Sequence, residues 1–386
     1  MLGKENDAAK LVLTAVFLCA EDSFFDFTAV QKTVLLTGKE RQDDTVAIKK
    51  VKVEDAVGMV LGHDMSKIIP GEYKGPAFKK GHIIRTEDLE HLKNIGKEHI
   101  YLIELAPGQV HENDAIARMA KMIAGDNVYY TQPSEGRINI KAARPGLLKV
   151  NRQAVYTVNL IEHAVLSTLH DNQLVAADTL LAGVKVVPLV VDESMVAAVE
   201  AACLKYGPVI SVKPIQQLKV GAIITGNEVY FGRIQDKFAP VFQKKIAHFG
   251  GTLMDIVYLP DDKEKITQAI CDYQRRGAEI IIASGGMSVD PDDVTPDAIR
   301  ATGAEVVSYG TPVLPGAMFM LAYLGDIAVM GMPACGMYAK TTVFDLIFPR
   351  VLAGEKITKQ DIAAMGYGGL CATCPSCTFP HCPFGK

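Results

Sequence analysis

Residues 279–301 read EIIIASGGMSVDPDDVTPDAIRA, which predicts a strand, a glycine-rich acidic turn and a short helix in direct succession. Apart from its first residue, the segment 279–283 is continuously apolar, as expected of a strand that is covered on both faces of a sheet. The two glycines that follow allow backbone N–H groups to approach an anion, because no Cβ atom blocks the way. The sequence therefore predicts a ligand-binding turn at the end of a central strand.

The same alternation of strand and helix continues on both sides of this turn. Apolar runs predict strands at 220–224, 252–259, 279–283, 305–308 and 326–330, and helical spacing predicts helices at 236–249, 262–276, 297–301 and 338–351. Such alternation favours an α/β fold with a mostly parallel sheet between two layers of helices. Ligands of these sheets bind beyond the carboxyl ends of the strands.

Polar motifs follow the carboxyl ends of the predicted strands. Thr225 and Gly226 follow the first strand, and Glu228 is expected to project its carboxylate into the crevice. After the third strand, Ser284 and Ser288 flank the two glycines as candidate hydroxyl donors to a phosphate. For the first motif alone, a tight turn with a solvated glutamate is the alternative interpretation.

Carboxylates crowd the same edge of the predicted sheet. Asp290, Asp292 and Asp293 follow the glycine turn, and Asp261 and Asp262 end the second strand. Carboxylates beside an anion-binding turn repel the ligand unless a cation lies between them, and hard oxygen ligands of this kind suit magnesium. The alternative is that some of these aspartates cap the helices that follow them.

The order of the motifs resembles a known family. Between residues 225 and 336 the chain carries TGNEV, LPDD, SGGMS, DDVTPDAI, PG and GMPACG. This order and spacing resemble the molybdopterin-binding domain that molybdopterin adenylyltransferases, molybdopterin molybdotransferases and the competence-damage-inducible family share. The earlier string AFKKGHIIRTEDLEHLKNIG resembles a segment that precedes this domain in molybdotransferases.

The resemblance implies a set of site residues. Glu228, Asp261 and Asp293 would be the catalytic acidic residues, with Asp261 and Asp293 as ligands of Mg²⁺. The implied cofactor-binding residues, which would contact molybdopterin, are Thr225, Gly226, Ser284, Gly285, Gly286, Ser288 and Pro333.

Departures from the family pattern leave the reaction open. Cys335 and Gly336 stand where molybdotransferases have Asn and Pro, and Ala317 and Met318 replace the usual Lys and Pro. The prediction is a molybdotransferase-like enzyme of molybdenum-cofactor biosynthesis that inserts molybdate into free or adenylylated molybdopterin. Adenylyl transfer to molybdopterin, or a non-catalytic pterin carrier that responds to redox state, are the alternatives. The Cys335 thiol either contacts the ligand or is an inert, partly buried side chain.

The end of the sequence carries four closely spaced cysteines. Cys371, Cys374, Cys377 and Cys382 have the spacing C-x2-C-x2-C-x4-C, which is typical of tetrathiolate sites for zinc or an iron–sulfur cluster. Disulfides or free thiols are the alternative. The glycines in 366–369 predict a flexible joint and hence a separable tail.

Composition excludes two classes of partner. With 40 Lys and Arg against 44 Asp and Glu, the net charge is −4, which argues against nucleic-acid binding. No apolar run approaches the roughly 20 residues that span a bilayer, so no membrane partner is expected. Four cysteines scattered singly indicate a reducing compartment, and hence the cytoplasm.

The expected domain organisation has four parts. They are an extension of unknown role at 1–48, a mixed α+β region at 49–215, the molybdopterin-binding domain at 216–353, and a linker with a metal-binding tail at 354–386. The expected partner is a phosphorylated pterin. Self-association and contact with other cofactor-biosynthesis proteins are further options.

Overall fold

The computed structural model describes residues 47–69 and 72–386. The predicted extension at 1–48 lies outside the described residues up to residue 46. Among the described residues, none of the helices is both long and apolar enough to cross a membrane.

Residues 47–213 form several small sheets. The strands are β1 (Ala47–Lys52), β2 (Met65–Ile69), β3 (Tyr73–Phe78), β4 (His99–Glu104), β5 (Gln109–His111), β6 (Val128–Tyr130), β7 (Arg137–Ala142), β8 (Gly146–Val150), β9 (Ala164–Thr168), β10 (Leu174–Val175), β11 (Leu180–Val186), β12 (Val190–Asp192) and β13 (Ile210–Lys213). The helices are a 3-10 turn (Val53–Asp55), α1 (Asp88–Asn94), α2 (Glu112–Ile123), α3 (Arg152–Asn159) and α4 (Glu193–Tyr206). The strand orders are β1-β4, β2-β3, β12-β5, β10-β8-β13 and β6-β7-β11-β9.

The region predicted as one mixed α+β part at 49–215 contains two hydrophobic cores. One core lies under β1 and β4 and includes Leu61 and Leu92. The other is built from α2, α4 and the sheets around them. His111, which is buried, joins the two parts, because its Nε2 lies 2.7 Å from the carbonyl oxygen of Gly62 while its Nδ1 accepts the N–H of Asn113 at 3.1 Å.

Residues 219–364 form the predicted α/β fold. The strands are β14 (Lys219–Thr225), β15 (Thr252–Leu259), β16 (Ile280–Ser284), β17 (Glu305–Tyr309), β18 (Met320–Leu324) and β19 (Ile327–Met332). The helices are α5 (Asn227–Tyr230), α6 (Phe238–Phe249), α7 (Lys263–Arg275), α8 (Thr295–Ala301), a 3-10 turn (Ala334–Met337), α9 (Val343–Leu352) and α10 (Lys359–Ala364). The sheet order is β15-β14-β16-β19-β18-β17.

The prediction of a mostly parallel sheet between two helical layers is confirmed. β15, β14, β16 and β19 pair in parallel, and only β18 and β17 run antiparallel to their neighbours. Alternate residues of each strand point to opposite faces of a sheet. Ile282 accordingly packs in the cluster that contains α6 and α9, whereas Ile281 packs in the cluster that contains α7 and α8.

The C-terminal segment packs against this sheet domain. Ile357, Ile362 and Phe384 are buried in the same core cluster as α6 and α9. In addition, Leu314 donates its N–H to the carbonyl oxygen of Gly369 at 2.8 Å. These contacts do not support the predicted flexible linker and separable tail, because apolar contacts with distant residues hold a segment whose glycines indicated local freedom. Whether the tail is separable stays a prediction.

Candidate functional site

A large cavity opens at the carboxyl ends of β14, β16 and β19, as predicted. Its volume is about 950 Å³. Four separate segments line it, and they comprise residues within 225–238, 285–293, 314–318 and 333–338. A cavity of this size accommodates a ligand larger than a single ring system.

The glycine turn needs both of its glycines. At Gly285, which has φ +96°, a Cβ atom would overlap the carbonyl oxygen of Thr225. At Gly286, which has φ +56°, it would lie 3.1 Å from Thr295 Oγ1. The ends of β14 and β16 therefore lie too close together for a side chain at position 285, and a side chain at position 286 would be strained by the positive φ and crowded by Thr295.

Thr295 holds this turn by two hydrogen bonds. Its side chain is fully buried, and its Oγ1 donates to the carbonyl oxygen of Gly285 at 2.7 Å. Its backbone N–H donates to the carbonyl oxygen of Gly286 at 3.2 Å. Both glycine carbonyls are thus occupied on the side away from the cavity.

The amides of the turn are unpaired. Within the part of the chain that the structure describes, the N–H groups of Gly286, Met287 and Ser288 donate to no protein acceptor. All three residues line the cavity. The hydroxyl of Tyr309 lies 2.9 Å from the carbonyl oxygens of Met287 and Ser288, and the Met287 carbonyl belongs to the same peptide unit as the N–H of Ser288. Burial, together with the nearby charge of Asp293, raises the pKa of Tyr309, so this hydroxyl keeps its proton.

The cavity wall is acidic. Its charged side chains are the carboxylates of Glu228, Asp236, Asp290 and Asp293 and the single ammonium group of Lys237. Four negative charges against one positive charge would repel a phosphorylated ligand. A bound cation would remove that repulsion.

The other aspartates at this edge make local hydrogen bonds. Asp293 Oδ2 accepts the N–H of Asp290 at 2.9 Å, and Asp261 Oδ2 accepts the N–H of Asn227 at 2.9 Å. Asp262 accepts the N–H of Lys265 at 3.1 Å and caps α7, so for Asp262 the helix-capping alternative is confirmed.

The carboxylates fit magnesium in part. Glu228 and Asp293 line the same cavity as the glycine turn, whereas Asp261 does not line it. Across residues 47–69 and 72–386, no three His, Cys, Asp or Glu side chains are grouped so that they could hold a metal ion. Magnesium commonly takes only one or two protein carboxylates and completes its shell with water and substrate phosphate. The two cavity carboxylates therefore fit a magnesium ion whose coordination shell is completed by the phosphate of the bound molecule.

The structure brings most of the predicted site residues together. The predicted residues that line the cavity are Thr225, Glu228, Gly285, Gly286, Ser288, Asp293 and Pro333. Gly226, Asp261 and Ser284 do not line it. Ser284 is fully buried at the end of β16, and its Oγ has no hydrogen-bond partner.

Two residues that hold the glycine turn were not predicted from the sequence. The predicted helix began at residue 297 and the predicted strand ended at residue 308, so Thr295 and Tyr309 were assigned to neither. Their roles depend on contacts with the turn at 285–288, from which both are separated by several residues or more along the chain. A threonine directly before Pro296 was the one local signal at Thr295, and nothing in the sequence pointed to Tyr309.

Cys335 lies in the cavity wall and is half-buried. Burial raises the pKa of its thiol, so the thiol is protonated at neutral pH. This environment suits packing against a ligand better than nucleophilic attack.

Comparison with known proteins places this site in a family. Residues 221–353 match the family described as "Probable molybdopterin binding domain". This segment is a molybdopterin-binding family domain. All of the residues that line the cavity lie within it. Residues 50–104 match a second family, described as a domain of unknown function (DUF8806).

The similar proteins match the chain over short segments. A CinA-like protein of Amoebophilus asiaticus is 33% identical over 82 residues, which are 21% of this chain and 20% of that protein. A CinA-like protein of Mycobacterium tuberculosis is 31% identical over 90 residues, which are 23% of this chain and 21% of that protein. The chain thus spans about a fifth of the length of these relatives.

Solved structures of the same kind cover about a third of the chain. The molybdopterin biosynthesis enzyme MoaB of Thermus thermophilus is 16% identical, with a TM-score of 0.30, and covers 36% of this chain and 98% of its own. The tungsten cofactor synthesizing protein MoaB of Pyrococcus furiosus is 17% identical, with a TM-score of 0.30, and covers 36% of this chain and 96% of its own.

Proposed function

We propose that the molybdopterin-binding family domain binds a phosphorylated pterin, either molybdopterin or its adenylylated form, together with Mg²⁺. In this proposal the protein acts in molybdenum-cofactor biosynthesis as a molybdotransferase-like enzyme of the cytoplasm. The observation that carries the proposal is the row of three unpaired amides at Gly286, Met287 and Ser288, residues that line a cavity walled by carboxylates. Unpaired amides attract phosphate, and carboxylates attract the cation that must accompany it.

Each residue has a distinct task in this proposal. The amides of the glycine turn, with the hydroxyl of Ser288, would hold the phosphate of the pterin. Glu228 and Asp293 would hold the magnesium, and Asp261 would position Glu228 by fixing the N–H of the neighbouring Asn227. Bound magnesium would neutralise phosphate charge and polarise the bond that is exchanged.

Adenylyl transfer at the same site is the second candidate reaction. The cavity of about 950 Å³ is large enough for a nucleotide beside the pterin. Exposed apolar side chains at its rim, among them Ile234 and Tyr338, offer a surface on which a base could stack. This candidate uses the same metal and phosphate contacts.

The binding step is tested with molybdopterin released anaerobically from a molybdoenzyme, titrated by fluorescence with and without MgCl₂. Asp293→Asn should weaken magnesium-dependent binding by about 10- to 100-fold, the range expected for loss of a charge-assisted contact. The matched control is Asp292→Asn, because Asp292 loses the same charge one residue away and does not line the cavity.

The results separate the metal site from a general charge effect. Equal weakening in both variants would mean that net charge, and not a metal ligand, controls affinity. Unchanged binding in Asp293→Asn and Glu228→Gln would contradict the magnesium site itself. Far-UV circular dichroism should be unchanged in all variants, because these side chains are outside the core.

The catalytic step is tested by complementation of strains that lack either a molybdotransferase or a molybdopterin adenylyltransferase. Rescue of the first strain supports molybdate insertion, and rescue of the second supports adenylyl transfer. Pterin binding without rescue of either strain would support the non-catalytic carrier.

A further inference from the structure

Of the four cysteines near the end of the sequence, two pack against the core and two lie exposed between them. Cys371 and Cys382 are half-buried against the core cluster that contains Phe384. Cys374 and Cys377 are exposed between them. The spacing C-x2-C-x2-C-x4-C lets one short loop wrap a single metal centre.

The loop between the two packed cysteines makes side-chain contacts at Cys377 and Phe379 but has no regular structure to lose. Residues 372–380 contain no helix or strand, and within the described chain their main chain makes no hydrogen bond to another element. As the loop stands, no three of the thiols are grouped as metal ligands in the described chain. Drawing Cys374 and Cys377 toward Cys371 and Cys382 would therefore break no regular structure.

The cysteine segment contacts one wall of the cavity. Cys371 donates its N–H to the carbonyl oxygen of Leu314 at 2.8 Å, and Leu314 lines the cavity. Cys377 Sγ lies 3.5 Å from Thr341 Oγ1, which does not line the cavity. One of the four cysteines is thus hydrogen-bonded directly to the ligand site.

We propose that Cys371, Cys374, Cys377 and Cys382 bind one thiolate-ligated metal centre, either zinc or an iron–sulfur cluster, and that loading it fixes the cavity wall at 314–318. Four thiolates prefer soft or borderline metals, whereas the carboxylates of the cavity prefer hard ones, so the two sites select different metals. A loop that is cross-linked by a metal moves less, and so do the segments that are hydrogen-bonded to it. The hydrogen bond between Cys371 and Leu314 would therefore reduce the motion of the cavity wall. This inference does not depend on the identity of the cavity ligand.

The first test is metal analysis of the full-length protein purified without oxygen. Zinc, iron and acid-labile sulfide are measured per chain, and free thiols are counted. Zinc without sulfide identifies a zinc site, and iron with sulfide identifies a cluster. The double variant Cys374→Ser/Cys377→Ser should lose the metal. The control Cys271→Ser should keep it, because Cys271 is a half-buried thiol outside the tail.

The second test is hydrogen exchange of the amides of Leu314 and Cys371 in loaded and metal-free protein. These N–H groups join the tail to the cavity wall, so loading should slow their exchange by about tenfold. The double cysteine variant should exchange at the metal-free rate.

Three outcomes would overturn the inference. The metal site is refuted if the anaerobic protein contains neither zinc nor iron, whether its tail thiols titrate freely or form disulfides. It is also refuted if the double variant keeps its metal. Unchanged exchange at Leu314 upon metal loss would refute the coupling to the cavity.

Discussion

Phe384 tests whether the C-terminal segment is part of the fold. Its side chain is only 3% exposed and lies in the core cluster of the sheet domain, with its ring centroid 6.2 Å from that of Phe379. Truncating a buried phenylalanine to alanine costs about 3–5 kcal/mol, because apolar surface is lost and a cavity is left. We therefore expect Phe384→Ala to cost at least about 3 kcal/mol.

The assay should report on the sheet itself and not on the whole multi-part chain, whose unfolding need not be two-state. Amide exchange of β16, the fully buried strand Ile280–Ser284, provides that report. A loss of about 3 kcal/mol corresponds to exchange that is about a hundredfold faster. The matched control is Tyr367→Ala, because Tyr367 lies in the same segment but is 90% exposed, and it should leave this exchange rate nearly unchanged.

The reasoning would be refuted by one pattern of rates. If exchange of β16 in Phe384→Ala equals that of Tyr367→Ala, the segment opens without loosening the sheet. The tail would then be separable, as its glycines first indicated.

Three further predictions concern stability. Thr295→Val should lower the free energy of unfolding of the sheet domain by about 1–3 kcal/mol, because the carbonyl of Gly285 loses its partner. Amide exchange of β16 measures this, and the partly exposed Thr267→Val should cost less. Hydrogen bonds and the charge of Arg350 outweigh desolvation and lower the pKa of Asp361 from 3.8 to about 2. A carboxylate with a lowered folded-state pKa stabilises the fold above its unfolded pKa, so stability should fall between about pH 4 and 2, and Asp361→Asn should remove that part of the pH profile. Burial lowers the pKa of His111 from 6.5. The contribution of neutral His111 to the stability of the fold should therefore be complete above about pH 6.5 and decline on acidification. Thermal melts at about pH 7.5 and 5.0 would show this decline.

The sequence predicted the position of the site because two local rules coincide there. Apolar strand runs are recognisable locally, and Gly285 and Gly286 directly follow one of them, so both the sheet and its ligand-binding edge could be placed. Glu228 and Asp293 were found for the same reason, since each follows a strand end. β18 and β19 form a hairpin, and both are apolar. Only the second of them was predicted as a strand, so β18 was missed.

Other features depend on contacts between distant parts of the chain. The separation of Asp261 from the cavity follows from its hydrogen bond to Asn227, which no spacing rule indicates. The burial of Phe384 likewise requires the faces of α6 and α9 to be known. The glycines around 366–369 predicted a flexible joint instead. Glycine content indicates how freely the unfolded backbone moves, but it does not indicate the tertiary contacts that hold the folded segment in place.

The assembly of the cavity from four separate segments links ligand occupancy to the integrity of the entire sheet domain. A ligand that bridges 225–238, 285–293, 314–318 and 333–338 is released as soon as any one of them unfolds. By mass action, a ligand present at about 100 times its dissociation constant adds about 2.7 kcal/mol to the stability of the native state. A protease that cuts only opened chains would therefore cleave the ligand-free protein about a hundredfold faster. In a cell, the abundance of this protein would then follow the supply of its ligand.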